Sequence, residues 1–125
     1  MEIKDLYIEK TEKIPQIVLK SDGTFRIYGR FLPDNPSVVF NPIFNWVKNA
    51  PIKKVDMEIG LEYINTCATM QLFNLLKIID ENQSIDEFNI KWIYEEGDED
   101  LFETGLIYSE QLKKAKFEFV EQKEF

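Results

Sequence analysis

The sequence predicts an α/β fold in which a mixed β-sheet is entered by an N-terminal hairpin and carries its helices mainly on one face. Strand-like and helix-like segments alternate after residue 54, which indicates right-handed crossovers and a largely parallel sheet. Charged residues alternate with apolar ones along the predicted strands, whereas strands covered on both faces are usually apolar throughout. One face of the sheet is therefore expected to be largely free of helices.

The first part of the chain predicts the hairpin. Residues 6–8 and 17–19 are short β-prone runs, separated by charged residues and a proline. Residues 21–23, Ser-Asp-Gly, are typical of a tight turn that returns the chain along residues 24–29 as an antiparallel strand. The sequence thus begins the sheet with an antiparallel pair.

A loop and a first helix follow the hairpin. Residues 33–36 contain two prolines and two Asx residues, which favour a loop. Two starts for the helix are open, since Asn41 could cap it with Pro42 at the first helical position, and Ser37 could cap a longer helix that tolerates Pro42. We expect a start between the two, an end at Asn49, and Trp46 in or beside the core.

A long strand and a second helix form the centre of the chain, over residues 54–64 and from about Thr66 to Asn82. The strand has period two, with these apolar residues assigned to one face: Val55, Met57, Ile59, Leu61 and Tyr63. Its other face carries Asp56, Glu58 and Glu62. The helix carries an apolar stripe at Leu72, Leu75, Leu76 and Ile79.

Another strand, a third helix and a last strand complete the predicted sheet. Residues 88–94 alternate between apolar and polar, and residues 117–120 form the last strand. The helix between them begins near Asp98, with acidic residues in its first turn and lysines at its end, as the helix dipole prefers. Its expected core residues are Leu101, Leu106, Ile107 and Leu112.

The length and charge of the chain limit how many domains it can form and what kinds of molecule it can bind. At 125 residues the chain is expected to be one domain over residues 1–125. Its 15 basic and 23 acidic residues give a net charge of −8, a surface that repels nucleic acid and anionic lipid. The charged first residues differ from a signal peptide, and no apolar run approaches the ~20 residues of a membrane span. We therefore expect a cytoplasmic protein that binds neither nucleic acid nor membranes.

Residues for catalysis or metal binding are scarce. The chain has no histidine, one cysteine and five scattered glycines that form no phosphate-binding loop. Residues 95–100 are rich in acids, which indicates a solvated surface, with a cation site as the alternative. Cys67 is expected to be a small packing residue at a buried corner, with a thiolate activated by the helix N-terminus as the alternative. The chain is therefore expected not to be an enzyme and to need no cofactor.

At Asn65 and Thr66 the spacing of apolar residues changes from the period of a strand to that of a helix. This change is the most informative local feature. Both residues are good N-caps, because their side-chain oxygens accept hydrogen bonds from the first helical turn. A hydroxyl is thereby placed at a strand-to-helix corner, on a helix end that favours negative charge. From spacing alone, a capping role is the favoured interpretation of Thr66, with a functional hydroxyl as the alternative.

Several short motifs are spread along nearly the whole chain. They are residues 63–66 (Tyr-Ile-Asn-Thr), residues 27–30 (Ile-Tyr-Gly-Arg), residues 33–35 (Pro-Asp-Asn), Phe40 and Pro42 before Trp46, and residues 117–119 (Phe-Glu-Phe). Together these motifs resemble the SiaC family of bacterial regulatory phosphoproteins. The family looks like STAS domains, the fold of anti-sigma-factor antagonists, in which a Ser or Thr at this corner is phosphorylated to switch partners. The resemblance thus implies a STAS-like sheet and a phosphorylated residue.

On that resemblance, Thr66 is the phosphoacceptor. The chain has Cys67 and Ala68 where further hydroxyl residues are expected, which leaves Thr69 as the other local acceptor. The implied partner surface is Glu62, Tyr63, Asn65, Thr66, Cys67 and Thr69. The implied partners are a protein kinase, a PP2C-like phosphatase and an effector resembling a diguanylate cyclase, bound by the unphosphorylated form. The alternatives are an interaction domain without phosphorylation and a small-ligand or cation-binding module.

Overall fold

In the computed structural model, which describes residues 4–125, six strands and three helices follow one another along the chain. The strands are β1 (Leu6–Ile8), β2 (Gln16–Leu19), β3 (Thr24–Phe31), β4 (Lys54–Ile64), β5 (Glu87–Glu95) and β6 (Lys116–Gln122). The helices are α1 (Pro36–Asn49), α2 (Thr66–Glu81) and α3 (Glu99–Gln111). Residues 1–3, part of the charged start noted above, lie outside the described range.

Within residues 4–125, the six strands form one sheet in the order β1-β2-β3-β4-β5-β6, so strands that are neighbours in sequence are neighbours in space. Strands β1, β2 and β3 pair antiparallel, and β3 to β6 pair parallel. Each parallel crossover contains a helix and moves one strand further in the same direction. Crossovers of one hand then place the three helices on one face, which confirms the predicted mixed sheet entered by a hairpin.

The turn between β2 and β3 requires a glycine. Gly23 has φ +95°, and a Cβ there would lie 1.9 Å from the carbonyl oxygen of Lys54. The Asp22 carboxylate accepts a hydrogen bond of 2.9 Å from the backbone N–H of Thr24. The predicted turn is confirmed, and Gly23 also allows the start of β4 to approach it closely.

Helix α1 is longer than the sequence predicts. It begins at Pro36, not between Ser37 and Asn41, and continues through Pro42 to Asn49. Pro36 stands at the start of the helix, where a missing N–H costs nothing, and Pro42 lies on the exposed side. The prediction that Trp46 belongs to the core is confirmed: it is 8% exposed, and its indole N–H donates to the Lys4 carbonyl at 2.7 Å.

The core lies between the sheet and the three helices, and the predicted stripe of α2 is buried in it. Helix α3 differs from its prediction, because Leu106 and Ile107 are 40% and 56% exposed. Its buried residues are Leu101, Gly105, Tyr108 and, just after the helix, Leu112. Gly105 sits against Trp92, whose indole would lie within 2.7 Å of a Cβ at that position. Because Gly105 has no apolar side chain, the sequence pattern did not show that this position of the helix is buried.

The opposite face of the sheet carries the charged residues of the strands, as predicted. Asp56 is exposed, Glu58 is half-buried, and Lys91 lies 3.8 Å from the Glu58 carboxylate. We call this surface the open face.

Among residues 4–125, no helix is long and apolar enough to cross a membrane.

Candidate functional site

The corner between β4 and α2 is held by the side chain and backbone of Asn65. Its N–H donates to the Phe31 carbonyl at 3.0 Å, which ties the corner to the end of β3. Its side-chain oxygen accepts a hydrogen bond of 2.8 Å from the Ala68 N–H, three residues into the turn. Asn65 is therefore the N-cap of α2, and its extended backbone fits that role.

Thr66 is the first residue of α2, and its side chain is exposed. Within residues 4–125 its hydroxyl has no hydrogen-bond partner, because the capping role belongs to Asn65. In the same range, the N–H groups of Thr66 and Cys67 also lack a partner. An exposed hydroxyl thus stands beside unpaired donors, at the helix end that stabilises negative charge.

Thr69, the other local hydroxyl, is in a different environment. It is half-buried, and its hydroxyl donates to the Asn65 carbonyl at 2.8 Å. Its own carbonyl accepts a hydrogen bond from the Tyr108 hydroxyl of α3. Burial raises the pKa of Tyr108 above its usual range, so this donor stays protonated. Thr69 connects α2 to α3, whereas Thr66 is available to solvent.

A bulge near the end of β4 turns Tyr63 outward. Gly29 of β3 pairs with Leu61, but the next residue, Arg30, pairs with Tyr63, so Glu62 is an extra residue in β4. The prediction that Tyr63 shares the buried face of Leu61 is wrong: Tyr63 is 47% exposed, with the Arg30 guanidinium 5.7 Å from its ring centroid. The bulge thereby presents an aromatic ring beside the corner.

Cys67 and Met70 complete the exposed surface at the start of α2. The prediction that Cys67 is buried by packing is wrong, because its side chain is exposed at the second position of the helix. Ala68, the next residue, takes the buried place. Met70 is 65% exposed and was not predicted as part of the site. An apolar residue at that position would be assigned to the core by hydrophobicity alone.

The predicted surface residues gather at the corner, with Tyr63, Thr66 and Cys67 exposed and Glu62, Asn65 and Thr69 half-buried. In the acidic segment 95–100, no three carboxylates are grouped so that they could hold a metal ion. No group of three or more metal-binding side chains converges within residues 4–125. Asp98 instead caps α3, accepting a hydrogen bond of 3.1 Å from the Leu101 N–H.

The family model for SiaC family regulatory phosphoproteins matches residues 8–122. The chain belongs to the SiaC family. This finding agrees with the expectation that the protein is not an enzyme, because the family consists of regulatory phosphoproteins. A search of curated proteins finds no significant match.

Solved SiaC structures share the fold. A crystal structure of the diguanylate cyclase SiaD in complex with its activator SiaC, from Pseudomonas aeruginosa, matches with a TM-score of 0.83 and 21% identity over 94% of this chain and 100% of that chain. SiaC of the same organism matches with a TM-score of 0.78 and 22% identity, over 97% and 99% of the two chains. Its apo form matches with a TM-score of 0.67 and 20% identity, over 96% and 99%.

Proposed function

We propose that this chain is a phosphorylation-switched signalling protein, that Thr66 is its phosphoacceptor, and that residues 1–125 act as one cytoplasmic domain. Membership of a family of regulatory phosphoproteins supports a phosphorylated residue. The observation that selects Thr66 is its hydroxyl, which is exposed and free of hydrogen bonds within residues 4–125. Thr69 is less suited, because its hydroxyl is half-buried and already bonded to Asn65.

Phosphorylation at this position is compatible with the fold. A phosphate on Thr66 adds about −1.5 to −2 charges at pH 7. The N-terminal end of a helix stabilises a negative group by about 0.3–1 kcal/mol at an exposed position. The N–H groups of Thr66 and Cys67 lie in the same turn and lack partners within residues 4–125, so they are suitable donors. The domain is therefore expected to keep its conformation when phosphorylated.

The effect of the phosphate appears instead in a partner that covers the corner. Tyr63 and Met70, three residues before and four residues after Thr66, are large exposed side chains that offer contact area to a partner. The remaining partner residues in the proposal are Glu62, Asn65, Cys67 and Thr69. Burying an unpaired dianion against such a surface costs several kcal/mol, which corresponds to orders of magnitude in affinity. The unphosphorylated form binds the effector, and the phosphorylated form releases it.

A diguanylate cyclase is the effector that we propose. The support is a structure of similar fold, in which SiaC of P. aeruginosa is bound to the diguanylate cyclase SiaD as its activator. A protein kinase adds the phosphate, and a PP2C-like phosphatase removes it, as the likeness to partner-switching regulators implies. The two enzymes reset the switch in opposite directions.

Phosphorylation by the cognate kinase tests the acceptor. Intact-mass spectrometry of the wild-type protein is expected to show the addition of one phosphate, and the Thr66→Ala variant none. Thr69→Ala is the matched control, since it removes the neighbouring hydroxyl of the same helix turn, and it is expected to be phosphorylated like the wild type. Phosphate on Thr66→Ala, or its loss from Thr69→Ala alone, would refute the assignment.

A further inference from the structure

An aromatic ring covers one row of residues on the open face. Tyr28, Gly60 and Ile93 pair across β3, β4 and β5, and all three belong to this face. A Cβ at Gly60 would lie 3.0 Å from Cε1 of Phe125, 3.5 Å from the Tyr28 ring and 3.6 Å from Ile93 Cβ. The Phe125 ring therefore occupies the space above Gly60, between a tyrosine and an isoleucine.

The row is a slot shaped for a flat apolar side chain. Gly60 forms its floor without a side chain, although its backbone does not have the positive φ that requires glycine. Ile93 is only 5% exposed, even though no helix covers this face within residues 4–125. Val120 of β6 pairs with Ile93 and extends the apolar row. Close approach to another group is a recurrent reason for glycine inside a strand.

A groove with a volume of about 870 Å³ lies on the same face, nearer the start of the parallel strands. Glu58 and Lys91 line the groove and lie two residues before Gly60 and Ile93, a distance of about 7 Å along the strands. The charged residues of the groove are four basic and three acidic: Lys20, Arg26, Lys91 and Lys116, and Asp56, Glu58 and Glu118. The groove is thus slightly basic in a chain whose net charge is −8.

We propose that this slot is a docking site for one aromatic side chain of an extended, mildly acidic polypeptide segment, and that Phe125 occupies it intramolecularly. Residues 121–125, Glu-Gln-Lys-Glu-Phe, have that composition. A partner segment that presents an aromatic side chain must displace Phe125 before it binds. The slot shares no residue with the partner surface proposed at the Thr66 corner, although Glu62 and Tyr63 of that surface follow Gly60 in β4. Binding at the slot does not depend on phosphorylation.

The test uses NMR of the full chain, following the Ile93 methyl groups and the Gly60 amide. Phe125→Ala is expected to shift both, because the ring is removed, and Lys123→Ala, a matched exposed position in the same segment, leaves them at their wild-type positions. An acetylated peptide with the sequence of residues 121–125 is then added to each protein. It is expected to move the Ile93 and Gly60 resonances of Phe125→Ala back toward wild type, and to bind the wild-type chain at least tenfold more weakly.

A second peptide and a second variant distinguish binding at the slot from nonspecific binding of the peptide to the protein. The same peptide with alanine in place of phenylalanine is expected not to bind. Gly60→Ala places a methyl group where the ring lies, so residues 123–125 are expected to take random-coil chemical shifts while the domain stays folded. Identical Ile93 and Gly60 resonances in wild type and Phe125→Ala would overturn the proposal, as would equal peptide affinity for both proteins.

Discussion

Replacing Asn65 and Thr66 separately by alanine distinguishes the residue that holds the corner from the residue that is modified. Asn65→Ala removes the oxygen that accepts the Ala68 N–H at 2.8 Å. Thr66→Ala removes a hydroxyl with no partner within residues 4–125, at an exposed position. The two adjacent substitutions should therefore have unequal effects on stability.

The magnitudes follow from the capping contact. Loss of an N-cap side chain costs about 1 kcal/mol, within a range of about 0.5–2 kcal/mol. For a domain of this size the entropy of unfolding is about 0.26 kcal/mol/K, so 1 kcal/mol lowers the melting temperature by about 4 °C. Thr66→Ala is expected to change it by less than about 2 °C, since alanine has the better helix propensity and nothing is left unpaired.

Thermal unfolding followed by circular dichroism measures both changes. Asn65→Asp is the matched control, because it keeps an accepting oxygen at the cap and is expected to melt near the wild type. A larger loss of stability in Thr66→Ala than in Asn65→Ala would show that the threonine holds the corner. The assignment of Thr66 as a free hydroxyl would then be wrong.

Two further predictions concern contacts that fix the helices around the site. Asp80 is 7% exposed and accepts hydrogen bonds of 2.9, 2.8 and 2.7 Å from the backbone N–H groups of residues 113–115. Asp80→Ala should therefore lower the free energy of unfolding, measured by urea titration, by about 3 kcal/mol or more. A loss below about 1 kcal/mol would contradict this prediction. The raised pKa of the buried Tyr108 hydroxyl means that the unfolded chain loses this proton first, so the stability it contributes is present below about pH 10 and falls as the pH rises further. Tyr108→Phe should weaken that alkaline loss, and an unchanged profile between about pH 9 and 11 would show that the hydroxyl is not the cause.

The positions of the strands and of α2 could be predicted because their signals are local and strong. The strand over residues 54–64 has a clean period of two, and its predicted bounds agree with β4. The change of period at residues 65 and 66 located the corner correctly. Both residues are capping types, however, and sequence alone could not decide between them. Backbone geometry decides, because Asn65 has extended dihedral angles and Thr66 is already helical.

The errors have physical causes that act across the chain. Tyr63 was assigned to the wrong face because an extra residue in β4 shifts the register, and no residue type marks that bulge. Leu106 and Ile107 were assigned to the core because they are apolar, whereas α3 buries Gly105 against the large ring of Trp92. Cys67 was expected inside because the corner was taken to be buried, whereas Ala68 fills the buried position and Cys67 is exposed. In each case tertiary packing overrode a local preference.

The affinity of the kinase-phosphorylated protein for the cognate diguanylate cyclase tests the proposed switch most directly. Wild-type protein is phosphorylated to completion, confirmed by intact mass, and compared with the unphosphorylated protein by calorimetry. Thr66→Ala, treated with the same kinase, is the control and should bind as the unphosphorylated wild type does. The proposal predicts that phosphorylation weakens binding at least tenfold, about 1.4 kcal/mol, with an unchanged circular dichroism spectrum. Equal affinity of the phosphorylated and unphosphorylated proteins would contradict it.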